Sequence, residues 1–183
     1  MIFGNKADFA IESMVEPDLE PPSSVWGRLR IWISGVSIGD YDDSHCGLWN
    51  CYINFQKMSD DLNDLWLETF ESCDELEIWN YLDAALYGYH GNIELDDCRT
   101  PEQVHSDAER YFKFDFLTNW GEMFDRGGKS FLLKLPNGYL KVLNYDHINE
   151  KINSYQCSEL GFRQAVKGFI IWFKEQEGRL KNA

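Results

Sequence analysis

The sequence predicts an α+β protein built on antiparallel sheet. Short strand-like runs come in hairpins, with Ser34-Gly35 and Pro136-Asn137-Gly138 at the bends. Helical patterns interrupt the strands once and then close the chain, instead of alternating with them as in a parallel α/β fold. An apolar share of 44%, with 15% aromatic residues, is enough for a real core. At 183 residues the chain suits one domain, read as residues 1–183.

Taken in order, Phe9-Ala10-Ile11-Glu12 reads as the first strand, closed by a proline-rich loop from Glu16 to Pro22. Val25 to Ile33 is the second. Leu29, Ile31 and Ile33 share one face, and Trp26, Arg28, Arg30 and Trp32 share the other. Val36-Ser37-Ile38-Gly39 returns as its hairpin partner, and Cys51 to Phe55 reads as a further strand. Ser59 is then placed as the N-cap of a helix whose first turn carries Asp60 and Asp61. On that helix Leu62, Leu65, Trp66 and Phe70 fill an arc of about 140°, while Asp61, Asp64, Glu68 and Glu71 fill about 80° on the opposite side. Four carboxylates would thus form one ridge without an interspersed Lys.

Asp74 caps the next helix, which Gly88 ends. Its core side is Ile78, Trp79, Leu82, Ala85 and Leu86, and its outer side carries Glu77, Asn80, Tyr81, Asp83, Ala84 and Tyr87. Exposed tyrosines beside acids suit a protein-binding face, although the same rings could pack under loops. Thr100-Pro101-Glu102-Gln103 is a capping box that starts a short helix. Tyr111 to Phe116 alternates like a strand, and Ser130–Leu135 with Tyr139–Tyr145 forms a hairpin. Ser158 begins a last helix with Phe162, Val166, Phe169, Ile170 and Phe173 as its core stripe.

Charge narrows the partner. Residues 40–97 hold fifteen carboxylates against a single base, Lys57, and their imbalance equals the net charge of −14 of the whole chain. Trp49, Trp66, Trp79, Tyr81 and Tyr87 are threaded through the same segment, so it folds instead of trailing as a solvated tail. Nucleic acid and anionic membrane both repel such a surface, and a basic protein is the partner it suits. The expected contact set is Asp61, Asp64, Glu68, Glu71, Glu77, Tyr81 and Asp83, with Glu12, Glu16, Asp18 and Glu20 as exposed acids elsewhere.

Motifs for chemistry are missing. His45, His90, His105 and His147 stand at no metal-ligand spacing, and Cys46 and Cys51 near His45, Asp42 and Asp43 fit no known metal loop. Neither a P-loop, a nucleophile elbow nor a dinucleotide fingerprint is present. The expectation is no enzyme, no cofactor and no metal. Five cysteines without a C-x-x-C pair, no apolar run of membrane-spanning length and no leader-like N-terminus suggest free thiols in a reducing cytoplasm.

The N-terminal third carries a family resemblance. Ile2-Phe3-Gly4-Asn5-Lys6, Phe9 to Glu12, Trp26-Gly27-Arg28, Trp32 to Gly35 and Ile38-Gly39-Asp40, with the later Phe124-Asp125-Arg126, resemble the immunity protein 42 family. Its members neutralise toxin domains of bacterial polymorphic or contact-dependent inhibition systems. The resemblance implies a non-catalytic cytoplasmic protein that binds a cognate toxin domain, with Gly4, Gly35 and Gly39 as scaffold. A toxin that cuts nucleic acid is commonly basic, which agrees with the charge. The alternative is a small acidic enzyme or ligand-binding domain with a cleft between sheet and helices.

Overall fold

The computed structural model describes residues 1–44, 46–147 and 149–181. Among the described residues the fold is α+β, with two larger antiparallel sheets, a two-stranded ribbon and four α-helices. The first sheet contains β1 (Ile2–Gly4), β2 (Phe9–Val15), β3 (Trp26–Ile33) and β4 (Val36–Ile38) in that spatial order, with the short β5 (Cys46–Gly47) also on β3. Register is set by apolar alternation: Phe9, Ile11 and Ser13 stand opposite Ile33, Ile31 and Leu29, all of them buried. Gly4 is required where β1 turns toward β2. Its φ is +96°, and a Cβ there would sit 2.3 Å from the Phe9 carbonyl oxygen.

Next come α1 (Trp49–Asp61), α2 (Glu75–Tyr87), the two-stranded ribbon β6 (Tyr89–His90) and β7 (Ile93–Glu94), and α3 (Pro101–Tyr111). The second sheet runs β11-β10-β9-β8, from β8 (Asp115–Phe116), β9 (Ser130–Lys134), β10 (Tyr139–Asp146) and β11 (Lys151–Ser158). The closing helix α4 spans Glu159–Lys181, and the Ser158 hydroxyl accepts from the Gly161 N–H at 3.0 Å as the sequence predicts. Its stripe docks on the first sheet and on α1. Phe162 meets Phe9 at 4.8 Å between ring centroids, Phe169 meets Phe55 at 5.6 Å, and Phe173 stacks on Tyr52 at 4.5 Å.

Three expected elements change. Cys51–Phe55 is helix, not strand: Cys51, Tyr52, Phe55 and Met58 are buried at helical spacing, while Ile53 is exposed. Ser59 therefore lies inside α1, and the helix expected to start there ends instead. Asp60 and Asp61 sit at its C-terminus, where the helix dipole disfavours acids and no base offsets them. Residues 62–64 and 68–72 form 3₁₀ turns separated by non-helical backbone. The Leu65 carbonyl accepts from the Lys134 N–H at 2.8 Å, so pairing with the end of β9 competes with helix continuation. Finally, Tyr111 to Phe116 yields only the two-residue β8. Tyr111 ends α3, residues 112–114 form a 3₁₀ turn, and Phe112 points outward. β1, β5, β6, β7 and β11 are strands beyond those the sequence singles out.

Candidate partner-binding surface

The seven expected contact residues are not all alike in the structure. Asp64, Glu68 and Glu71 are exposed and have no ion-pair partner among the described residues. They stand on the 3₁₀ turns and not along one helix face, so the single-helix ridge is corrected. Asp61 is half-buried and lines a shallow cleft with Lys57 and Lys113. Glu77 is exposed but already employed: it completes the capping box of α2, its carboxylate accepting from the Asp74 N–H at 2.8 Å. Tyr81 is exposed along its ring, with its hydroxyl hydrogen-bonded to that of Tyr111 and its edge on Phe70.

Asp83 is the clear correction. It is fully buried, ion-paired with Lys129, and accepts from the Gly91 N–H at 2.8 Å. Tyr87 likewise turns inward, donating to Asp115 at 2.5 Å. Burial pushes the Asp115 carboxyl up to about 6, against the opposing pull of the Tyr87 and Thr118 hydroxyls and of Lys129. Helix periodicity put Asp83 outside because it could not show the ribbon and the Lys129 loop covering that side of α2. Bases from the second half of the chain thus cancel part of the acidic segment: Lys129 takes Asp83, and Lys141 takes Glu75 at 2.6 Å.

Glu12 and Glu16 are not free surface acids either. Glu16 is buried against Arg28. Glu12 accepts from Lys6, Arg30 and the Trp32 indole at 2.7–3.0 Å. Burial disfavours its charge, but those three donors outweigh it and hold the carboxyl down at about 2.

Two open grooves flank α2. The first, about 750 Å³, runs between the helix start, the ribbon and the β10–β11 turn. Trp79, Tyr145 and Ile152 line it, with Asp74, Glu75 and Glu150. The second, about 670 Å³, lies toward α3 and is lined by Tyr81, Leu95, Asp96, Asp97 and Asp107. Asn80 and His90 line both. The ribbon between the grooves is pinned from below. Gly91 adopts φ +63°, and a Cβ there would meet the Tyr145 hydroxyl at 2.9 Å. The Leu95 N–H donates to Gly88 at 2.8 Å, and Asn92 lies 3.2 Å from His147. On the far side Arg99 reaches the Ala84 and Ala85 carbonyls at the end of α2 as well as Asp97 and Asp107.

Sequence reasoning missed these walls. Gly91-Asn92 between Tyr89-His90 and Ile93-Glu94 is a readable hairpin signal. Leu76, an apolar residue off the α2 core stripe and 56% exposed, is the other available sign.

Among the described residues no group of three His, Cys, Asp or Glu side chains is placed to hold a metal ion; His45 lies outside the described residues. The Cys46 and Cys51 thiols are both buried, Cys51 facing the Trp120 carbonyl at 3.4 Å, and burial pushes both upward, Cys46 to about 12. All five cysteines are unpaired. No helix among the described residues is long and apolar enough to cross a membrane.

This two-sheet α+β arrangement is shared with a solved protein, the CdiI of Burkholderia dolosa AUO158. The crystal structure matches with a TM-score of 0.57 at 12% identity, covering 94% of this chain and 99% of that one. At that identity the likeness is one of fold. The model of the immunity protein 42 family matches residues 1–172, and the chain belongs to that family. A search of curated proteins finds no match.

Proposed function

We propose that the protein neutralises a cognate toxin domain by binding it, and that the toxin is basic and meets the exposed acids around α2. The family match over residues 1–172 carries the first half of this reading. The second half is supported by Asp64, Glu68 and Glu71, which stay exposed and unpaired while the acids of the first sheet are consumed internally. Glu77 and Tyr81 border the same surface, and Asp61 lies at its edge. Asp83 has no place in the contact set. Inhibition by occlusion asks no chemistry of this chain, only a fitting and oppositely charged surface. The protein acts in the cytoplasm in this reading, where an incoming toxin reaches its target.

The test is protection. The genes flanking this one are searched for a toxin gene, and its toxin domain is expressed from an inducible promoter, with this protein or with an empty vector. Growth is expected only with the protein present, and the two should co-purify. Death in both cultures, with no complex recovered, would overturn the reading. So would protection by turnover of a small molecule in the absence of any complex.

A further inference from the structure

Steering by exposed acids does not explain how a partner is held, and the concave surface beside them offers a means. We propose that the two grooves flanking α2, joined at Asn80 and His90, grip one projecting segment of the toxin. That segment carries Lys or Arg next to an apolar side chain. The inference rests on the reading that the partner is a cognate toxin.

Shape, chemistry and rigidity each support it. The grooves hold about 750 and 670 Å³ and share lining residues, so together they form a track suited to an extended chain and not a closed pocket for a small molecule. The first groove offers apolar contact at Leu76 and Ile152, with the stacked Trp79 and Tyr145 rings, 5.7 Å between centroids, as its floor. Its acids Asp74 and Glu150 are exposed at the rim, and the second groove adds Asp96. Two bases line the grooves: Arg99 in the second is committed to two carboxylates and two carbonyls, and the exposed Lys151 of the first stands against both Asp74 and Glu150, so acids stay in excess there. A cationic, partly apolar segment is the complement of that lining. The ribbon wall is already fixed by the Gly91–Asp83 hydrogen bond, with Tyr145 filling the space that a side chain on Gly91 would need, so little ordering remains to be done on binding.

The experiment uses the full chain and the toxin domain identified in the protection test. Leu76→Arg with Asn80→Arg places bulk and like charge in the track. Leu160→Arg with Gln164→Arg makes the same charge change on exposed positions of α4. Calorimetric titration is expected to show the groove variant weakened at least ~30-fold, the loss typical of a hot-spot contact. The α4 variant should stay within about threefold of wild type, as a peripheral charge change does. Amide exchange on the unmodified protein, which does not depend on how the variants fold, should show toxin-induced protection over residues 74–81 and 89–95. If wild type binds and the groove variant binds equally, or protection falls elsewhere, the groove assignment is wrong while the toxin reading stands. If wild type does not bind, both fall together. A concentration-dependent dimer of the protein alone that the groove variant abolishes would make a second copy the occupant and overturn the assignment.

Discussion

The first sheet with α4 and the segment from α1 to α3 solve the same problem, burying aromatic residues, in different ways. In the first, acids face inward partners: Glu12 serves Lys6, Arg30 and Trp32, and Glu16 serves Arg28. In the second, Asp64, Glu68 and Glu71 face solvent alone, and two grooves open beside them. Glu12 and Glu16 hold the protein together, whereas Asp64, Glu68 and Glu71 are left for something else. That difference matters more than the net charge, because it separates acids that stability requires from acids it does not.

The comparison can be broken where the two halves of the chain meet. Lys129→Ala leaves Asp83 charged and buried without its partner, and the expected loss is ~3–5 kcal/mol, measured by urea unfolding. A loss under about 1 kcal/mol would mean that Asp83 is reached by water and that α2 is not anchored there.

Glu12→Gln should cost about 2 kcal/mol at neutral pH, since it weakens three hydrogen bonds to one charged group. The sign follows from its depressed pKa. The stabilisation is present above the ordinary value of 4.5 and fades as pH falls toward about 2, so wild type and variant should converge in that window. Convergence at alkaline pH instead would contradict the assignment.

Asp115 runs the other way. Its carboxyl is raised from 3.8 to about 6, so its favourable contribution is complete below 3.8 and is lost as pH rises through 6. Asp115→Asn should remove that slope from the stability profile between pH 4 and 6, as read by thermal midpoints. An unchanged slope would show that Asp115 ionises freely.

Thiol chemistry gives the smallest signal. In the native protein an alkylating reagent should modify Cys98, which is exposed, and then Cys73, which is half-buried. Cys46, Cys51 and Cys157 should react only after unfolding, when all five titrate. Early labelling of Cys51 would mean that the α1 packing opens readily.

The same contrast explains what the sequence could tell. Regular alternation in Phe9–Glu12, Val25–Ile33 and the Asn137-Gly138 hairpin made the sheets legible, and the N-cap at Asp74, the capping box at Thr100 and the stripe from Phe162 to Phe173 placed three helices. Between Cys51 and Ser72 the pattern misled. Leu62, Leu65 and Phe70 are buried at spacings a helix would allow, but Leu62 and Phe70 stand on separate 3₁₀ turns, and Leu65 between them accepts from Lys134 of β9, about 70 residues away in sequence. Asp83 was misplaced for a similar reason: its partner Lys129 comes from the loop before β9, which periodicity along α2 cannot reveal. Local pattern reports which residues are buried better than it reports what buries them.

The most direct test of the acidic surface is the rate at which the toxin associates. Asp64→Lys, Glu68→Lys and Glu71→Lys are combined in one variant, and Asp18→Lys, Glu20→Lys and Glu175→Lys, all exposed, make a control of equal net charge. Stopped-flow association with the toxin domain is followed from low to physiological salt. The account predicts that the first variant associates at least ~10-fold more slowly than the control at low salt, and that its rate varies least with ionic strength. Equal slowing in both variants would reduce the effect to bulk charge, and no slowing in either would place the toxin on another surface.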